Sequence, residues 1–191
     1  MPISTPRTSP APQAAGSNYT NPSVEPPDHA IGRSRGGLST KIHHLVDGHG
    51  LPLVVLVSPG QSGDCPAFPH LLDLTVPRSG RPRTRPDQVR GDKAYSSRVN
   101  RELLRRRGVG AVIAEPSDQV GHRRRRGSRG GRPLAFDPVD YHGCNVVERR
   151  FCRLKQWRGL ATRYDKLAIV YRAAVVLHAV IAWTRRSSNM S

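Results

Sequence analysis

Leu53-Val54-Val55-Leu56-Val57 is apolar at every position. Successive residues of a strand point to opposite faces, so such a strand needs apolar cover on both sides. The expectation is a strand internal to a sheet. A second strand, Thr40 to Asp47, precedes it, and Asp47-Gly48-His49-Gly50 between them signals a hairpin turn. Gln88-Val89-Arg90-Gly91 and Val109 to Ala114 read as two more strands.

Helices are expected from Asp64 to Leu74 and from Ser96 or Ser97 to Arg107, the latter stopped by Gly108. A final helix runs from an Asp165 cap to about Arg186. Its apolar stretch, Leu167 to Trp183, contains Arg172 and His178, which favours a buried helix over a membrane span. The order of elements is that of a mixed α/β domain. Residues 1–27 are rich in Pro, Ser, Thr and Ala and lack periodicity or an apolar run. They are expected to be a disordered tail with no signal peptide, leaving 28–186 as the domain.

Tyr141 to Trp157 reads as one helix, with Asp137 as N-cap, Pro138 at the first position and Gly159 as the stop. Val147, Phe151 and Leu154 mark its buried stripe. Beside that stripe lie Tyr141, Cys144, Glu148, Cys152 and Lys155, and Glu148 stands alone among many cations. Asp92 follows the Gln88 strand, where an α/β sheet presents site residues; a plain turn or cap role is the alternative. Carboxylates converging in a basic setting suit Mg²⁺, which prefers oxygen ligands. Two such ions roughly 3.5–4 Å apart can activate a water or a 3′-hydroxyl at a phosphodiester.

Charge points the same way. The 31 Lys+Arg against 14 Asp+Glu give a net charge of +17, which attracts polyanions such as nucleic acid. His122 to Arg132 holds Arg123, Arg124, Arg125, Arg126, Arg129 and Arg132 in a glycine-bearing loop, a phosphate-gripping arm or a solvated charge run. Ile31 to Leu38, with Arg33 and Arg35, is a glycine-rich basic loop that either holds a phosphate or leads flexibly into the strand. Three widely spaced cysteines, Cys65, Cys144 and Cys152, suggest neither a disulfide framework nor a zinc site.

Several runs carry a resemblance when taken in order: Asp28 to Lys41, Ser58 to Asp64, Gly91 to Ser97, Arg125 to Pro133, Asn145 to Phe151, Arg153 to Gly159 and Ala161 to Lys166. Together they resemble the catalytic region of DDE transposases of bacterial insertion sequences, in the group called insertion sequence family five. The resemblance implies a ribonuclease-H-like fold, a mixed sheet flanked by helices. It also implies a Mg²⁺ or Mn²⁺ site of two aspartates and a glutamate that cuts and rejoins DNA ends. Asp92 matches the second aspartate and Glu148 the glutamate, so both would ligate metal. Tyr141, Glu148 and Lys155 fit the family's tyrosine, arginine, glutamate, lysine signature, but Cys144 stands where arginine is expected. Cysteine cannot replace a guanidinium fork. Lys155, Tyr141, Arg33, Arg35 and the six arginines from Arg123 to Arg132 are the expected DNA contacts. The implied partners are element ends, target DNA, and a second copy or a full-length transposase. The implied location is the nucleoid in the cytoplasm, with no membrane.

The first aspartate of that set falls near Met1 to Thr5, on a strand ahead of the Gly32 to Gly37 loop. No aspartate occurs in residues 1–27. The expectation is a fold without its first strand, in a truncated, frameshifted or downstream-frame product with little strand transfer of its own. A DNA-binding module that modulates a full-length transposase is the competing expectation. An RNA-binding role is weaker, because an aromatic content of 5% offers few stacking surfaces.

Overall fold

A computed structural model describes residues 24–73 and 85–188. Strands β1 (Gly32–Ser34), β2 (Gly37–Val46) and β3 (Pro52–Pro59) form an antiparallel sheet in that order. Ile42 faces Val57 and His44 faces Val55 across the β2–β3 ladder. The turn between them is built as its residues dictate. Asp47 Oδ1 accepts from the His49 amide at 2.9 Å and the Leu51 amide at 2.8 Å, and Gly50 takes φ +81°. The basic glycine-rich stretch is not an open loop: Arg33 pairs with Leu38 in a tight hairpin that turns before Gly37, at φ +107°.

β3 is not internal. Among the described residues it pairs only with β2. Its two-sided apolar character has another cause: helices α1 (Asp64–Leu72) and α7 (Ala168–Ser188) both pack on it. Two of its carbonyls accept side-chain donors from α7, Pro52 from Trp183 Nε1 at 2.8 Å and Val55 from Arg172 Nε at 3.3 Å. An edge strand covered in this way can be as apolar as a central one.

β4 (Gln88–Gly91) and β5 (Gly110–Ile113) form a separate parallel pair, joined through α2 (Arg98–Arg106). Ser97 Oγ caps α2 at the Asn100 amide, and Gly108 ends the turn after it at φ +63°. The core is divided like the sheet. Phe68, Leu72, Val89, Leu104, Val109 and Ile113 bury one cluster. Val55, Leu154, Leu160, Tyr171 and Val175 bury the other. Helix α1 touches both sides, packing on β2, β3 and α2.

The remaining helices depart from the sequence reading in instructive ways. The arginine-rich stretch is largely helical: α3 spans Ser117–Arg125 and a 3-10 turn follows at Gly127–Gly130. Asp118 in its first turn and four basic residues in its last complement the helix dipole. Arg123 pairs with Glu115, relieving part of the repulsion. The expected single helix from Tyr141 is three pieces: α4 (Pro138–Tyr141), a 3-10 turn (His142–Cys144) and α5 (Asn145–Lys155). Asp137 does cap it, accepting from the Val139 amide at 2.9 Å. Gly159 does not stop it but lies inside α6 (Arg158–Thr162).

Helix α7 is long and apolar enough to cross a membrane by length and composition. Here Tyr171, Val175, His178 and Ala179 are buried while Val170, Leu177 and Val180 are exposed. Its N-terminus is capped from afar. Glu25 accepts from the Ala168 amide at 2.6 Å and the Ile169 amide at 2.9 Å. Arg163 clasps the same region, donating to His29 O at 2.7 Å and Ala30 O at 3.1 Å and lying over the Tyr171 ring.

Candidate active site

β4 runs out of the sheet at Gly91, and Asp92 is the next residue. Its Oδ1 accepts from the Lys93 amide at 2.6 Å and so caps the 3-10 turn Lys93–Tyr95. The capping role is therefore real, but it occupies only one oxygen, and Asp92 is exposed. The neighbouring Tyr95 phenol is pushed up to about 12, by burial first and then by the charges of Asp64, Asp92 and Cys65.

The second half of the site comes from the α4–α5 junction. Because the chain tightens into a 3-10 turn at His142–Cys144, α5 restarts at Asn145. Glu148 then falls in the first turn of α5, where the dipole favours an anion. It is exposed, as is Lys155 at the far end of the helix. Asp140, just before Tyr141, accepts from Arg90 Nε at 2.8 Å and from Arg90 Nη2. An open cleft of about 680 Å³ separates β4 from the β2–β3 turn, with Arg90, Asp140 and Gly143 on one wall and Gly48 on the other.

Asp92 and Glu148 both act on two shared neighbours. Burial pushes the Tyr141 phenol above its ordinary value, and Asp92, Cys144 and Glu148 push it further. The Cys144 thiol is also raised, by burial first; Arg90 opposes this, while Asp92, Asp140 and Glu148 add to it. Two side chains thus feel both carboxylates, although Asp92 and Glu148 stand on different elements.

The transposase DDE domain family model matches residues 3–183. This chain belongs to that family. Two relatives carry the name "Putative transposase for insertion sequence element". The IS402 protein of Burkholderia cepacia is 30% identical over 164 residues, covering 83% of this chain and 69% of the relative. The IS6501 protein of Brucella ovis is 30% identical over 148 residues, covering 78% of this chain and 100% of the relative. No solved structure matches.

DDE transposases act on DNA and use divalent metal ions. Among the described residues, no group of three or more His, Cys, Asp or Glu is arranged to hold one. Asp92 and Glu148 are hard oxygen donors of the kind a divalent ion takes, and both add to the shifts that burial begins at Tyr141 and Cys144. Of the other arginines singled out by the sequence, Arg124, Arg125, Arg126, Arg129 and Arg132 are exposed. Arg33 is exposed on β1 and Arg35 lies in the turn after it. Arg123, by contrast, is paired with Glu115. Sequence reading missed Arg90 and the role of Asp140 as its partner. An ion pair between residues fifty positions apart leaves no local signal.

Proposed function

We propose that this chain is an insertion-sequence transposase built on a ribonuclease-H-like sheet, in which Asp92 and Glu148 hold a divalent metal for cleavage and joining of DNA strands. That Asp92 and Glu148 both act on Tyr141 and Cys144 supports this reading most directly. When bound, the metal supplies an activated oxygen nucleophile and charge stabilisation at the phosphodiester. Lys155, Tyr141 and the exposed arginines bind the DNA backbone. Element ends and target DNA are the substrates, met at the nucleoid in the cytoplasm.

The site holds two carboxylates where the family pattern has three. β2 and β4 each lack a partner on one edge among the described residues, beyond the short β1 contact. One further strand between them would join the two sheets and bring a third carboxylate. Residues 1–24 contain no Asp or Glu to do so. We therefore expect little or no strand transfer by this chain alone. The test is to incubate it with Mn²⁺ and a duplex carrying the element's own terminal sequences. Robust joining that Glu148→Gln abolishes would overturn the low-activity part. Mn²⁺ binding no tighter than that of the Asp92→Asn, Glu148→Gln double variant would remove the metal site.

A second reading is a DNA-binding module that joins a full-length transposase. The exposed run Arg124, Arg125, Arg126 and Arg129 favours it, since no carboxylate partner faces these groups among the described residues. DNA affinity indifferent to salt would exclude it, because phosphate contacts release counterions.

A further inference from the structure

Arg90 joins the two halves of the site, and the chemistry proposed above makes no use of it. It precedes Asp92 by two residues on β4, and its side chain crosses to the turn that carries Tyr141. Nε and Nη2 both donate to Asp140 Oδ1, with Nε at 2.8 Å. The same guanidinium lies against Gly143. A Cβ at that position would stand 3.0 Å from Arg90 Nε, 3.1 Å from Cδ and 3.2 Å from Cζ. Gly143 is not among the glycines with positive φ, so space for Arg90, not backbone freedom, is what a side chain there would remove.

Asp140 lies in α4 and Gly143 in the 3-10 turn that joins α4 to α5. Glu148 follows in the first turn of α5. The other end of the linkage is β4, which ends at Gly91, one residue before Asp92. A half-exposed ion pair alone would be a weak constraint. A forked donor packed on a glycine adds a steric one.

We propose that Arg90 is a positioning residue that holds Glu148 opposite Asp92 by gripping Asp140 and packing on Gly143. It deepens the metal-site reading above and rests on it. Arg90 touches neither carboxylate, and its effect passes through the α4–α5 junction.

The experiment measures Mn²⁺ binding to the full chain by electron paramagnetic resonance, alongside thermal unfolding. Removing a positive charge should tighten cation binding by Coulomb attraction alone. Positioning demands the opposite, so Arg90→Ala is expected to weaken Mn²⁺ binding by about tenfold. Arg90→Lys keeps the charge but not the fork and should fall between. Gly143→Ala keeps every charge, shifts the guanidinium by a few tenths of an ångström and should weaken binding, though less than Arg90→Ala does. It also serves if Arg90→Ala does not fold. Unchanged or tighter Mn²⁺ binding in these variants overturns the proposal.

If the parent chain binds Mn²⁺ no better than the Asp92→Asn, Glu148→Gln double variant, the metal reading fails separately. Alkylation of Cys144 by iodoacetamide then decides the placement of Arg90, in a background with Cys65→Ser and Cys152→Ser. Slower reaction at pH 8 in Arg90→Ala and Gly143→Ala supports it. Equal rates overturn it.

Discussion

Glu25 closes the N-terminus of α7 across 143 positions of sequence: its carboxylate accepts from the Ala168 amide at 2.6 Å. Burial pushes the Glu25 carboxyl up, but bonds from the Ile169 and Ala168 amides and from His29 outweigh it, and the net shift is downward. A depressed carboxyl stabilises the fold above its unfolded value and loses that contribution as pH falls through the folded one. Stability should therefore fall as pH drops below about 4.5. Glu25→Gln is expected to flatten this slope and cost about 1–2 kcal/mol at neutral pH, as the removal of helix caps does. Urea titrations at several pH values measure both effects.

His44 should impose a second, higher dependence on pH. It is buried on β2, stacked on Phe151 at 5.0 Å, and neither ring nitrogen has a partner among the described residues. Burial lowers it to about 4, and Arg150, His178 and His43 add to the shift. The unfolded chain binds this proton more readily than the folded one. Stability is then complete above about pH 6.5 and declines towards pH 4. The loss for this residue is about 3 kcal/mol. His178 is lowered too, by burial and then by Arg150 and Arg185, and adds in the same direction. In His44→Leu the decline between these pH values should shrink; an unchanged profile would place its origin elsewhere.

The arginines of the α3 region should separate by function. Arg124, Arg125 and Arg126 are exposed, while Arg123 is held by Glu115. The triple change of Arg124, Arg125 and Arg126 to Ala should weaken DNA binding and reduce the salt slope by about 0.9 for each phosphate left without its cation. Its melting temperature should hold. Arg123→Ala should lower the melting temperature and alter the slope less. Fluorescence anisotropy across a salt series, with matched melts, resolves the two.

The divided core predicts divided stability. Leu104 is 0% exposed in the β4–β5 cluster, and Val175 is 0% exposed in the β3–α7 cluster. Leu104→Ala should cost about 2–5 kcal/mol. Native-state hydrogen exchange should show that loss first in β4, β5 and α2, with the β2–β3 ladder less affected. A uniform loss of protection would mean that the two clusters unfold as one.

What the sequence disclosed was local. Asp47 and Gly50 announce the hairpin, Ser97 caps α2, and Gly108 ends it, because each signal lies within a few residues of what it controls. The errors lie where distant groups decide. Nothing near Ala168 reveals that Glu25 caps α7. The Tyr141 stretch reads as one α-helix, but the structure tightens it to a 3-10 turn at His142–Cys144. The arginine run forms a helix because Glu115 and the dipole offset its repulsion. β3 looks central because two helices cover it. In the site, the resemblance picked out Asp92 and Glu148 as individual residues, but the neighbours they share, Tyr141 and Cys144, depend on long-range packing that no spacing encodes.

Among the described residues, β3, β4 and β5 each have an edge without a strand partner, which has a consequence for handling the protein. Exposed backbone donors and acceptors are templates for strand addition by any neighbouring copy. A net charge of +17 keeps copies apart at low ionic strength. Added salt shortens the reach of that repulsion to a few ångströms at molar concentration. The salt that releases the chain from DNA should thus also let its copies adhere edge to edge, and light scattering should rise over the range in which DNA binding disappears.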